Sequence, residues 1–236
     1  MTPNKYTSLP PGQRAIESFP RFGLPQYANR FAKELDHIRI IIGGDIDEFE
    51  ISQDISSLPR VHQVSDFHCV TTWSKLNLHW SGYRFRDFYH TFIDAMAPHD
   101  TSHVVLKAQD GYKTSLPLQD LMQDNVILAD QLDGKPLGIE HGAPLRLVAP
   151  DHYGYKNLKH IKRIEFYIQK QYIKQGILSF MDHPRARVHF EERASNGPGR
   201  FFRWLYKFGI KKTMRDFALA TESYYATQKS KSWNVK

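Results

Sequence analysis

A single cysteine in 236 residues rules out an intramolecular disulfide, and one cysteine among scattered histidines lacks the paired spacing of a zinc site. No stretch approaches the roughly 18 uncharged apolar residues that a membrane-crossing helix needs, so any membrane association is expected to be peripheral. The opening MTPNKYTSLPPGQ has neither the apolar run of a secretory signal nor a twin-arginine pair, and a cytoplasmic location is the expectation. There is no internal repeat and no regular βαβ alternation. Acidic residues are scarce towards one end. Residues 151–236 carry 18 Lys+Arg against 7 Asp+Glu, a net +11, which leaves −4 for residues 1–150 and places the overall +7 in the C-terminal third. That asymmetry suits an anionic membrane surface, a phosphate-bearing cofactor, an acidic protein or nucleic acid, and composition does not choose among them.

What is present reads as a mainly β chain. The segment to about Gln26 is rich in Pro and Gly and predicts extended backbone. Residues 38–42 (IRIII) before Gly43-Gly44, and 61–70 (VHQVSDFHCV) ending at the cysteine, read as strands. Phe85, Phe88, Tyr89, Phe92, Ile93 and Met96 recur at helical spacing, predicting a packed helix over 84–96. A hairpin follows around Asp110-Gly111, then VILADQL with a turn at Asp133-Gly134, APLRLVAP and KRIEFYI. Many short strands with few helices predict a mixed, mainly β, α+β domain over residues 10–175. Residues 176–236 read as a basic C-terminal extension, with an amphipathic helix from about Arg200 to Ala220 after the Asn196-Gly197-Pro198-Gly199 break.

Two segments could carry chemistry. Cys69 lies where a strand gives way to a loop, flanked by His68, Thr71, Thr72 and Ser74. It is open to reading as a buried small hydrophobe, a nucleophile or a metal ligand. His68 cannot be its base, because adjacent strand residues point to opposite faces. The second segment, residues 140–166, combines a Gly-Ala-Pro bend, Arg146, and Lys156, Asn157, Lys159 and Lys162 beyond a Tyr-Gly-Tyr turn. Forked Arg and compact Lys donors near tight turns suit a phosphate, and a solvated basic loop is the alternative.

Together these segments resemble the sulfite-oxidase-like molybdopterin oxidoreductases, a family that includes sulfite oxidase and the catalytic subunit of methionine-sulfoxide reductase. The resemblance spans roughly residues 10–166. It rests on four motifs in the family's order: PPGQ with FPRFGLP, ISSLPRVHQVSDFHCVTTWSKLNLHWSGYRFRDF, DGYKTSLPL, and DGKPLGIEHGAPLRLVAPDHYGYKNLKHIKRIEF. It implies a sulfite-oxidase-like fold holding a molybdenum–molybdopterin cofactor, with Cys69 as metal ligand and catalytic residue. It places the pterin phosphate at Arg146 with Lys156, Asn157 and Lys159, and His141 against the pterin or phosphate edge. Arg21, Phe22, His68 and the backbone from Ala108 to Asp110 match further cofactor-lining positions.

The implied reaction is oxygen-atom transfer to or from a small oxo donor or acceptor such as a sulfoxide or N-oxide, with electrons exchanged with a separate protein. The run Val70-Thr71-Thr72-Trp73 departs from the arginine-bearing run of the sulfite oxidases, and His141 departs from the Asn of the sulfoxide-reductase branch. The substrate, the direction of transfer and any nucleotide on the pterin are therefore left open. No nucleic-acid partner is expected. The helix across residues 200–220 either packs its aromatics on the domain or docks an anionic membrane or acidic partner through Lys207, Lys211, Lys212 and Arg215. The competing class of function is a non-enzymatic basic module that uses that C-terminal third.

Overall fold

The computed structural model describes residues 9–171, 173, 182–195, 199–206 and 209–233. Its strands are β1 (Arg14–Ala15), β2 (Ile40–Gly44), β3 (Phe49–Ile51), β4 (Arg60–His68), β5 (Trp73–Arg84), β6 (His103–Ala108), β7 (Lys113–Pro117), β8 (Ile127–Leu132), β9 (Lys135–Pro136), β10 (Arg146–Val148) and β11 (Ile161–Tyr167). Helices α1 (Phe85–Phe92), α2 (Leu118–Leu121), α3 (Gly199–Leu205) and α4 (Ile210–Trp233) complete a mixed, mainly β architecture.

The strands form two sheets. In the first, β5 pairs antiparallel with β4 on one side and with β8 on the other, β10 extends the sheet beyond β8, β9 closes a hairpin on β8, and β1 lies parallel to the start of β5. The second runs β3-β2-β11-β6-β7, with β11 parallel to β2.

Period-two alternation builds the core between the sheets. Ile40 and Ile42 of β2, Val104 and Leu106 of β6, and Ile164 and Phe166 of β11 meet Phe85, Phe88 and Ile93 at α1, joined by Leu128 and Leu147 from the first sheet. The neighbours of those two leucines, Ile127, Ala129 and Val148, point the other way and form a second cluster with Leu78 and Trp80. The first sheet is therefore buried on both faces. Arg146, two residues before Val148, shares the face of the second cluster, and its guanidinium lies 4.8 Å from the centre of the Trp80 ring.

Some elements differ from their sequence signals. The helix expected over 84–96 stops at Phe92, with Ile93 buried and Met96 exposed. The turn at Asp133-Gly134 forms with both residues at positive φ, whereas at Asp110-Gly111 only Gly111 does so, in a three-residue loop. The single helix expected over 200–220 is two helices, interrupted where Gly209 takes φ +87°. The expected domain boundary at 175/176 lies outside the described residues. Strand β5 was not foreseen, although Leu76, Leu78 and Trp80 alternate along it.

Gly82 of β5 has its Cα pressed against the β8 backbone, where a Cβ would run into the Leu128 carbonyl oxygen and Ala129 Cα. Neither atom can yield without opening the sheet. Gly82→Ala is expected to cost about 3 kcal/mol, the upper range for overpacking a core. That loss lowers the thermal midpoint by roughly 6–12 °C in a calorimetric scan.

Candidate cofactor site

Cys69 sits in the turn joining β4 to β5. Its amide donates to the Trp73 carbonyl at 2.8 Å, and the Thr72 amide donates to the Cys69 carbonyl at 3.1 Å. The β6–β7 turn repeats this pattern at Ala108, Gly111 and Tyr112, with the same 2.8 and 3.1 Å distances. The left-handed position is Gly111 (φ +91°) in one turn and Thr72 (φ +77°) in the other. A β-branched residue in that region costs on the order of 1–3 kcal/mol, so the surroundings must hold the cysteine turn in place.

Both ends of the described chain do so. The Gln13 carboxamide donates to the Cys69 carbonyl at 3.1 Å and accepts from Ser74 Oγ at 3.1 Å, which leaves Ser74 Oγ to accept from His68 Nδ1 at 2.8 Å. His68 is thereby fixed as the Nδ1–H tautomer. Arg193, fully buried, donates to the Val70 carbonyl and to the Pro11 carbonyl at 3.2 Å, and lies 4.9 Å over the Tyr153 ring. The thiol itself is 3.1 Å from Thr71 Oγ1, and burial pushes its pKa up to about 11.

The thiol forms part of the wall of a cavity of about 560 Å³ that also meets Arg21, Arg146 and Lys159. Every hydrogen bond these three cations make among the described residues ends on a backbone carbonyl. Arg21 donates to Ala28, Tyr27 and Arg30, Arg146 to His141, Leu147 and Asn157, and Lys159 to Glu140. Burial pulls the Arg146 pKa down to about 9 and lowers that of Arg21. Lys159 falls to about 7, through burial first and then repulsion from Arg146 and Arg21. Gly142, at φ +110°, packs against the Cβ atoms of Arg146 and Lys159 and allows both to flank the same turn.

Two histidines complete the basic wall in neutral form. His141 stacks on Phe19 at 4.7 Å, and burial beside Arg146 and Lys159 drives its pKa to about 3. His160, held at about 4 mainly by burial, is 2.7 Å from the Ala143 carbonyl through Nδ1, so Nε2 is left as an acceptor. Asp110 and Glu140 are the nearby carboxylates, engaged by the Tyr112 amide and the Tyr225 hydroxyl respectively.

Arg21, Phe22, Cys69, Asp110, His141, Arg146, Asn157 and Lys159 all line this cavity, while His68, Ala108 and Lys156 do not. His68 is turned to Ser74, and Ala108 is spent on the β6–β7 turn. Lys156 corrects a sequence expectation: its ammonium points away, to the Ser115 carbonyl and Asp182, both at 3.1 Å. Asn157 reaches the cavity, but its amide is occupied by the backbone of Ala149, His152 and Tyr153. The reading of the sequence missed Gln13, His160 and Arg193, and also the cover over the cavity. That cover is α3–α4, which contributes Tyr206, Ile210, Thr213 and Phe217, with Phe217 stacked on Phe22 at 6.2 Å and 4.9 Å from the Arg21 guanidinium.

A soft sulfur donor and three cations without carboxylate partners, enclosed by aromatic rings, fit a metal carried on an organic phosphate. Fold and site together define a cofactor-dependent redox enzyme. Residues 29–173 match the family described as the oxidoreductase molybdopterin binding domain. The chain is 34% identical over 161 residues to an uncharacterized oxidoreductase, YuiH, of Bacillus subtilis, covering 67% of this chain and 78% of that one. It is 28% identical over 215 residues to the catalytic subunit of protein-methionine-sulfoxide reductase, MsrP, of Xanthomonas campestris, covering 80% and 64%. The sulfane dehydrogenase SoxCD of Paracoccus pantotrophus superposes with a TM-score of 0.53 at 20% identity, over 63% of this chain and 43% of that one. The chain thus spans less than two thirds of the latter two proteins. It belongs to the oxidoreductase molybdopterin-binding family, and its cofactor is molybdenum–molybdopterin.

The low Lys159 pKa has a measurable consequence in cofactor-free protein. The unfolded chain holds this proton up to about pH 10.4 and the folded chain only to about 7, so folding releases a proton between those values. Stability therefore rises with pH across that window. Denaturant titrations from about pH 7 to 8, below the range in which Cys69 ionises in the unfolded chain, are expected to show the rise, and Lys159→Met should flatten it.

Proposed function

We propose that the protein transfers an oxygen atom to or from a small, uncharged oxo donor or acceptor such as a sulfoxide or N-oxide, exchanging electrons with a separate protein. The observation that carries this reading is the cavity in which the Cys69 thiol shares a wall with three cations that lack carboxylate partners. The bound molybdenum–pterin supplies two-electron redox chemistry and oxygen exchange.

The chain's own residues hold and orient it. Cys69 serves as the thiolate ligand once its proton is displaced. Arg146, Lys159 and Arg21 offset the phosphate charge, and their backbone tethers fix them in place before it arrives. His141 and Phe22 would offer ring faces to it, with His160 Nε2 and the Asp110 carboxylate as hydrogen-bond acceptors on the same cavity wall. Around the thiol stand Val70, Thr71 and Trp73, with Tyr206 close enough to feel its charge. None of these is cationic, and the two cations whose charge reaches the thiol, Arg193 and Lys159, are committed to backbone carbonyls, which favours an uncharged substrate over an anion such as sulfite.

In a molybdate-supplied host, the wild type is expected to carry about one molybdenum per chain and Cys69→Ser less than a tenth of that, with circular dichroism unchanged. Wild-type metal content in the variant would remove Cys69 from its role. Turnover is checked with a viologen donor and small sulfoxides or N-oxides. Loaded protein inert towards these, yet active on sulfite, would overturn the substrate assignment.

A further inference from the structure

Helix α4 has two unlike faces. At 100° per residue, Ile210, Thr213 and Phe217 project together towards the cavity, while Lys211, Lys212, Arg215 and Leu219 project about 180° away. All four outward residues are exposed, Leu219 at 54%. Asp216 borders that face one turn beyond Lys212, and the next carboxylate along it is Glu222, beyond Leu219.

Helix α3, immediately before it, exposes Phe201 (54%) and Trp204 (57%), with ring centres 6.4 Å apart, next to exposed Arg200. From residue 199 to 215 the sequence contains no Asp or Glu. Arg203 pairs with Glu191, but Arg200, Lys211, Lys212 and Arg215 form no ion pair among the described residues. Lys207 lies outside the described residues.

We infer that the outer surface of α3–α4 docks the protein peripherally on an anionic lipid surface. The charge complementarity is direct, because four cations face outward and the nearest carboxylate, Asp216 one turn beyond Lys212, offsets only one of them. An acidic protein would satisfy those charges but has no need of two adjacent exposed rings. A lipid–water interface takes both groups, with aromatic rings at the acyl boundary and ammonium and guanidinium groups among the phosphates. No described helix is long and apolar enough to cross the bilayer, so the contact is one of surface and interface. The inner face of the same helix covers the cavity, and docking sets that cover against the membrane.

Flotation of the holoprotein with vesicles tests this at about 0.1 M salt, comparing phosphatidylcholine alone with a mixture containing about one third phosphatidylglycerol. Binding to the anionic vesicles is expected to be at least about 10-fold stronger, and both Phe201→Ser/Trp204→Ser and Lys211→Glu/Lys212→Glu/Arg215→Glu should weaken it by a similar factor. Molybdenum content monitors the fold of each variant. Equal or undetectable binding of the wild type to the two vesicle types overturns the proposal. So does a folded aromatic variant that binds like wild type, since that result reduces the contact to the charge pairing an acidic protein would make.

Discussion

Two buried arginines and a half-buried lysine facing one cavity, none with a carboxylate partner, repel one another and weaken the empty fold. An isolated buried charge ordinarily sheds its proton or acquires a counter-ion. Lys159 goes part of the way, with its pKa near neutrality, while the two arginines are tethered to carbonyl oxygens and remain charged. Much of the architecture serves this arrangement. The alternation of β10 aims Arg146 away from the main core, Gly142 leaves room for Arg146 and Lys159 side by side, and Trp80 and Phe67 give the Arg146 guanidinium aromatic neighbours. Stability is given up in the empty protein so that an anionic cofactor meets a prepared field.

The sheet scaffold was legible wherever local chemistry dictated it. Asp133-Gly134 specified its turn, and the paired isoleucines of β2 and the aromatic spacing of α1 specified buried faces. Strand β5 escaped because Gly82 and polar Ser74, Asn77 and Ser81 interrupt its apolar pattern, whereas in the folded protein it is the most heavily paired strand of its sheet. Lys156 and Lys159 look equivalent in sequence, but the 3-10 turn at Gly154–Lys156 rotates the first towards Asp182 and leaves the second at the cavity. Gln13 and Arg193 act on carbonyls 56 and 123 residues away along the chain. No local pattern encodes such partners.

The family match covers residues 29–173, and several parts of the site lie outside it. Gln13, Arg21 and Phe22 come before it, and Arg193, Tyr206 and Phe217 after it. The shared scaffold supplies the cysteine turn and the cations of the 140–160 segment. The flanking segments supply the clamp on the turn and the cover over the cavity.

The clamp on the cysteine turn also bears on the order of assembly. A chain leaving the ribosome presents Cys69 more than a hundred residues before Arg193 exists to grip the Val70 carbonyl, and longer still before Phe217 covers Arg21. A nascent chain therefore has the thiol but neither its clamp nor its cover. The complete pocket belongs only to the finished polypeptide, so cofactor bound in that closed form reports that synthesis has run at least through residue 217.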